Sequence, residues 1–140
     1  MFTILLVDDD DLIRQSLAIG LKSANFDVLL AADGDAGLRI LESQTVDVLV
    51  TDIVMPHREG IELITWVRRE GIRIPIIAIT GGYTGAATIG RDDTALFLRT
   101  ARLLGASRTL AKPFTVAQLV SEIRDCLVER AAPPPLRVAS

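Results

Sequence analysis

Thr3-Ile-Leu-Leu-Val7, running straight into Asp8-Asp-Asp-Asp11, is the stretch from which the fold can be read. A short apolar run of this kind, stopped abruptly by charge, suits a strand buried on both faces of a parallel sheet. The pattern recurs at Asp27 to Ala31, Val46 to Thr51, Ile74 to Thr80 and Arg108 to Ala111. Between these runs the apolar residues fall at helical spacing: Ile13, Leu17 and Leu21, then Ile61, Ile64 and Val67, and finally Val116, Leu119, Val120, Ile123 and Leu127. Gly71 and Gly105 each follow a helical pattern, where the chain must reverse. Strand and helix alternate five times. The expectation is therefore right-handed βαβ crossovers and a doubly wound parallel sheet with helices on both faces.

Composition bounds the remaining possibilities. With 140 residues, 49% of them apolar and 24% charged, the chain is predicted to bury about 70% of its unfolded surface in one core. Aromatics make up only 4%, so aliphatic residues must build that core. A net charge of -3 and the lack of a basic stripe argue against a nucleic-acid reader. One cysteine, Cys126, and one histidine, His57, exclude an internal disulfide and a zinc site of the usual kind. The N-terminal run has no basic leader or cleavage site, and the longest uncharged stretch, Ile74 to Gly90, contains Pro75 and four glycines. A cytoplasmic protein with no membrane segment is expected. Ala131-Ala-Pro-Pro-Pro-Leu-Arg-Val-Ala-Ser140 reads as a flexible proline-rich tail, leaving residues 1–130 as the domain.

In doubly wound sheets ligands sit at the carboxyl ends of the strands. Here those ends carry Asp8 to Asp11, Asp52, Thr80 and Lys112-Pro113. Asp8, Asp9 and Asp52 brought together would repel one another unless their pKa values rose or a cation joined them, and an oxygen-seeking ion such as Mg²⁺ resolves the conflict. Asp52 then remains a nucleophile able to form an acyl phosphate, with Lys112 and Thr80 placed to neutralise and hydrogen-bond phosphoryl oxygens.

Ile4-Leu-Leu-Val-Asp-Asp-Asp10, Asp52-Ile-Val-Met-Pro56 with Gly60 and Leu63, Thr80 after an apolar strand, and Lys112-Pro-Phe114 together resemble the receiver domain of bacterial two-component response regulators, over residues 3 to about 129. The resemblance implies a flavodoxin-like five-stranded sheet of order 2-1-3-4-5, with Asp52 as acceptor of a phosphoryl group from a histidine kinase or phosphotransfer protein. It further implies Mg²⁺ or Mn²⁺ held by Asp8, Asp9, Asp52 and the backbone carbonyl of Val54, with Thr80 and Lys112 contacting the phosphoryl group. Lys112-Pro113 is a candidate cis peptide. Val54 and Gly82 stand at the positions that tune attack by water in this family; neither can hold a water or act as a base, so slow self-dephosphorylation is expected.

Plainer readings apply to several residues. Asp10 and Asp11 suit a helix cap, and Arg14 a solvated or ion-paired helix position. Thr80 alone could be a strand-end hydroxyl, His57 a loop side chain, Cys126 a quiet thiol and Trp66 a packing residue. Gly85 to Asp92 has the glycine spacing of a phosphate loop but lacks its Lys and Ser/Thr, so nucleotide binding is discarded. The chain departs from the family pattern in two places. Thr80 to Lys112 spans 32 residues, about ten more than usual, with the surplus in the glycine-rich Gly81 to Gly90 segment, read either as a gate or as an idle insertion. Thr109 replaces the usual aromatic switch, a role Tyr83 could assume. Leu96, Phe97 and Leu103 could mediate a weak dimer, although core packing accounts for much of that face.

Two alternatives to a phosphorylation-switched module that binds an output partner stay open. One is a degenerate receiver acting as a constitutive interaction module. The other is a phosphatase of the haloacid-dehalogenase type using Asp8 as nucleophile.

Overall fold

The computed structural model describes residues 1–53, 59–80 and 91–131, and for 59, 91–95, 97, 98 and 131 the backbone alone. Five strands and five helices alternate: β1 Thr3–Val7, α1 Asp11–Ser23, β2 Asp27–Ala31, α2 Gly34–Ser43, β3 Val48–Asp52, α3 Glu59–Arg69, β4 Ile76–Thr80, α4 Arg91–Leu104, β5 Arg108–Ala111 and α5 Val116–Ala131. All strands are parallel in the order β2-β1-β3-β4-β5, the doubly wound flavodoxin-like arrangement. The expected boundaries hold for β1, β2 and β5. Strands β3 and β4 begin two residues later than the apolar runs do, and β3 extends to include Asp52.

Because successive strand side chains point to opposite faces, each central strand feeds two cores. Leu5, Val7, Leu49, Ile76 and Ala78 pack against Leu63, Ile64 and Val67 of α3, with Leu38 and Leu41 of α2 and Ala101 of α4. On the other face Ile4, Leu6, Val48, Val50, Ile77 and Ile79 meet Leu17 and Leu21 of α1 and Leu119, Val120 and Ile123 of α5. The helical periodicities thus predicted real contacts, with Leu63 an addition on α3.

Burial on both faces does not extend to the sheet edges. Strand β2 exposes Asp27 and Leu30, half-buries Val28 and Leu29 and buries only Ala31, and none of β5 is fully buried. An edge strand has a neighbour on one side only, so its covering helices leave part of it bare.

The amino end of the sheet is closed by polar groups that find partners. Arg68 of α3 donates from Nε to the Gly105 carbonyl at 2.9 Å and from Nη1 to the Ile72 and Ile74 carbonyls at 2.9 and 2.8 Å. Burial pulls its guanidinium down from the ordinary value. Gly105 makes this possible: it adopts φ +122°, and a Cβ there would lie 2.5 Å from the Arg68 side chain. Asp47 accepts the Thr3 N–H at 2.8 Å and pairs with Arg130 at 3.2 Å, fastening α5 beneath β3.

Candidate functional site

At the opposite end of the sheet, β1, β3, β4 and β5 deliver Asp8, Asp52, Thr80 and Lys112 to one place. Asp52 is the last residue of β3 and Thr80 the last of β4; both are buried among aliphatic neighbours. Lys112 follows β5, and its N–H donates to the Thr80 carbonyl at 2.7 Å, tying the two strand ends together. The Lys112-Pro113 bond is cis, as expected. The Lys112 ammonium lies 2.9 Å from Asp52 Oδ2 and 3.5 Å from Asp8 Oδ2. Burial alone would pull that ammonium down, but the two carboxylates outweigh it and hold its pKa above the ordinary value.

Asp8 is 1% exposed. Its N–H donates to the Ala31 carbonyl at 3.2 Å, and its Oδ1 accepts the Asp10 N–H at 2.9 Å. Burial dominates and raises its carboxyl above the usual range, against the lowering effects of the Asp10 N–H and Lys112, while Asp9 adds to the rise. Asp9 is exposed, yet Asp8, Asp9 and Asp52 can each offer an oxygen within 4.8 Å of the others. Three hard oxygen donors with one ammonium leave excess negative charge, the donor chemistry that suits Mg²⁺ or Mn²⁺. Thr80 points to the same conclusion by another route. Its Oγ1 is fully buried and has no hydrogen-bond partner among the described residues, which costs free energy unless another group supplies one.

The plainer readings are resolved in part. Asp10 is the N-cap of α1, accepting the Leu12 and Ile13 N–H groups at 2.9 and 3.1 Å, whereas Asp11 is already helical. Arg14 is not solvated: its side chain is 13% exposed and reaches both Asp11 and the Asp8 carbonyl. Cys126 is buried, and desolvation pushes its thiol up, fitting an unreactive group. Trp66 packs on the core cluster between the sheet and α2, α3 and α4. Leu96 and Leu103 are 61% and 81% exposed, so core packing does not account for those two. Val54, His57, Gly82, Tyr83 and the Gly81 to Gly90 segment lie outside the described residues, as does the Phe97 side chain.

Gly60 is a further participant that only the family motif signalled. A Cβ there would stand 2.0 Å from the Asp52 carbonyl oxygen, so α3 begins directly against the backbone of Asp52.

Fold and site together define a class: doubly wound α/β domains whose carboxyl-end cleft holds an acidic cation site beside a lysine. The family model of the response regulator receiver domain matches residues 4–124, and the chain belongs to that family. It is 32% identical over 130 residues to the response regulator MprA of Mycolicibacterium vanbaalenii, covering 93% of this chain and 52% of the relative. MprA of Mycobacterium tuberculosis is similar to the same extent, so the chain spans about half the length of these curated relatives. Among solved structures it resembles the chemotaxis response regulator CheY4 of Vibrio cholerae, with TM-score 0.75 and 28% identity over 90% of this chain and 98% of that one. Full-length FixJ from B. japonicum superposes with TM-score 0.78 and 31% identity, over 93% of this chain and 59% of FixJ.

This is therefore a receiver domain of two-component signal transduction. Receiver domains act as phosphoacceptor switches, bind Mg²⁺ at an acidic pocket, and work with histidine kinases and output partners. Among the described residues no helix is long and apolar enough to cross a membrane.

Proposed function

We propose that Asp52 accepts a phosphoryl group from a phosphohistidine, and that the resulting acyl phosphate switches binding to an output protein. The observation that carries this reading is the contact of Lys112 with Asp52 at 2.9 Å inside a cluster of three carboxylates. In the transfer the phosphorus–nitrogen bond breaks, a phosphorus–oxygen bond to the Asp52 carboxylate forms, and the imidazole leaves. Such a reaction asks the protein for alignment and charge screening more than for covalent chemistry. Lys112, 2.9 Å from Asp52, is placed to follow the charge as it moves onto phosphoryl oxygens. The orphan hydroxyl of Thr80 gains an acceptor once a phosphoryl oxygen arrives. Asp8, Asp9, Asp52 and the Val54 carbonyl would hold Mg²⁺ or Mn²⁺, which when bound supplies positive charge against the carboxylates and the incoming phosphoryl group.

With Val54 and Gly82 offering no base, the acyl phosphate is slow to hydrolyse by itself; a half-life of only seconds without a phosphatase would contradict that. Residues 1–130 serve as the receiver unit; the proline-rich stretch 132–140 lies outside the described residues. Cytoplasmic location and a monomer or weak dimer complete the reading.

Incubation with Mg²⁺ and a small acyl-phosphate donor, followed by intact mass measurement, tests it. The expected result is one phosphoryl adduct that requires Mg²⁺ and is lost in Asp52→Ala. No adduct in the wild type would favour a constitutive binding module, and turnover that depends on Asp8 would favour a phosphatase.

A further inference from the structure

Resting on that reading of the acidic cluster, we infer that Arg14 is a positioning residue for the cation site. Arg14 stands in the first turn of α1, four residues after Asp10, the N-cap, with its side chain 13% exposed. Nη1 donates to the Asp8 carbonyl at 2.7 Å, and Nη2 pairs with the Asp11 carboxylate. One planar guanidinium thus clamps two points of the acidic turn, as a fork of fixed donors can.

Two features make this placement costly. A cation in the first turn of a helix opposes the helix dipole. It also puts positive charge beside carboxylates that a divalent cation must reach, where like charges repel. The i,i+3 pair with Asp11 accounts for Nη2, but neither it nor cation attraction accounts for Nη1 at the Asp8 carbonyl, and for that contact a geometric role is left.

The peptide plane supplies that role. The Asp8 carbonyl belongs to the same rigid unit as the Asp9 N–H and Cα, so pinning the carbonyl fixes the direction from which Asp9 leaves the strand. Asp8 itself is held independently through Ala31, Asp10 and Lys112. Asp9 is exposed, and no side-chain hydrogen bond of its own orients it among the described residues. Its place within 4.8 Å of the other two donors therefore rests on the Asp8–Asp9 peptide, and through it on Arg14.

Calorimetric titration with Mg²⁺ at neutral pH, on protein shown to be folded by its thermal transition, provides the test. Arg14→Ala is expected to weaken Mg²⁺ affinity roughly tenfold, the size seen when a group supporting metal ligands is lost, although it removes a repelling charge. Arg14→Gln is expected to weaken it in the same direction and carries the test if the alanine variant does not fold. Arg14→Lys, which keeps one donor for the Asp8 carbonyl, should fall between wild type and Arg14→Ala. Unchanged or tighter binding in Arg14→Ala or Arg14→Gln overturns the inference, and so does a lysine variant no better than alanine. A wild type that binds no Mg²⁺ overturns the cation-site reading and this inference with it, whereas wild-type binding that ignores Arg14 overturns this inference alone.

Discussion

The two ends of the sheet treat buried polar groups in opposite ways. At the amino end Arg68 gives its guanidinium to three backbone carbonyls and Asp47 takes the Thr3 N–H and Arg130. At the carboxyl end three carboxylates converge and one ammonium reaches two of them, burial holds Asp8 above the ordinary carboxylate range, and the Thr80 hydroxyl has no partner among the described residues. The first end is satisfied as it stands and contributes stability. The second, on the function proposed above, is satisfied when a cation and an anion arrive, which is what a ligand-driven switch requires. Local conflict of this kind is expected at functional sites in an otherwise consistent fold.

Breaking the satisfied end should lower stability and leave the chemistry alone. Arg68→Ala is expected to cost about 3 kcal/mol in urea unfolding, because three carbonyls lose a charged donor at once, with Mg²⁺ affinity unchanged. Asp47→Ala should cost roughly 1.5 kcal/mol by orphaning the Thr3 N–H and releasing Arg130. Altered Mg²⁺ binding in either variant would erase the division between the two ends.

Relieving the unsatisfied end should do the reverse. Thr80→Val replaces an unpartnered buried hydroxyl with a methyl of similar shape, and is expected to stabilise the metal-free protein by roughly 1 kcal/mol. A loss of stability of that size would show that the hydroxyl already has a partner. The smallest effect is the pH response of Mg²⁺ affinity. Because Asp8 titrates above the ordinary carboxylate range, protons should compete with the metal at a higher pH than they would for an exposed aspartate. Titrations at descending pH should show affinity falling early in wild type, and a curve matching a free carboxylate would contradict this.

How much of this was legible in the sequence depended on where each signal lay. The strands were readable because buried parallel strands are written as continuous aliphatic runs, whereas their order came from the resemblance to the receiver family. Asp52, Lys112 and Thr80 were readable because the chemistry stands at strand ends. The half-bare β2 was not, since Leu29 and Leu30 look no different in an edge strand from a central one. Arg68 was invisible for another reason: its partners are backbone carbonyls, one of them 37 residues away, and carbonyls leave no trace in a sequence. Arg14 was open to two plainer readings because its contact with Asp8 is also to a carbonyl. Thr115 and Gln118 form the reciprocal cap of α5, in which each backbone N–H donates to the other's side chain at 2.8 and 3.1 Å, a Thr-x-x-Gln signature that the sequence reading passed over. Asn25, at φ +68° just past α1, took the role that the reading gave only to glycines.

The comparison stands or falls on Asp8. Since its folded-state pKa lies above the unfolded value, folding favours the protonated form; that contribution is complete below the ordinary carboxylate pKa and lost as pH rises through the raised one. Ionised Asp8 is therefore a cost to folding that the Asp10 N–H and Lys112 offset in part and a bound cation would offset further. The decisive measurement is the unfolding free energy of wild type and Asp8→Asn at pH 7, without and with saturating Mg²⁺. Asp8→Asn should be the more stable protein without metal and the less stable with it, and the metal-free gap should close on acidification. A metal-free Asp8→Asn that is less stable than wild type, or an order that Mg²⁺ does not reverse, would contradict the account.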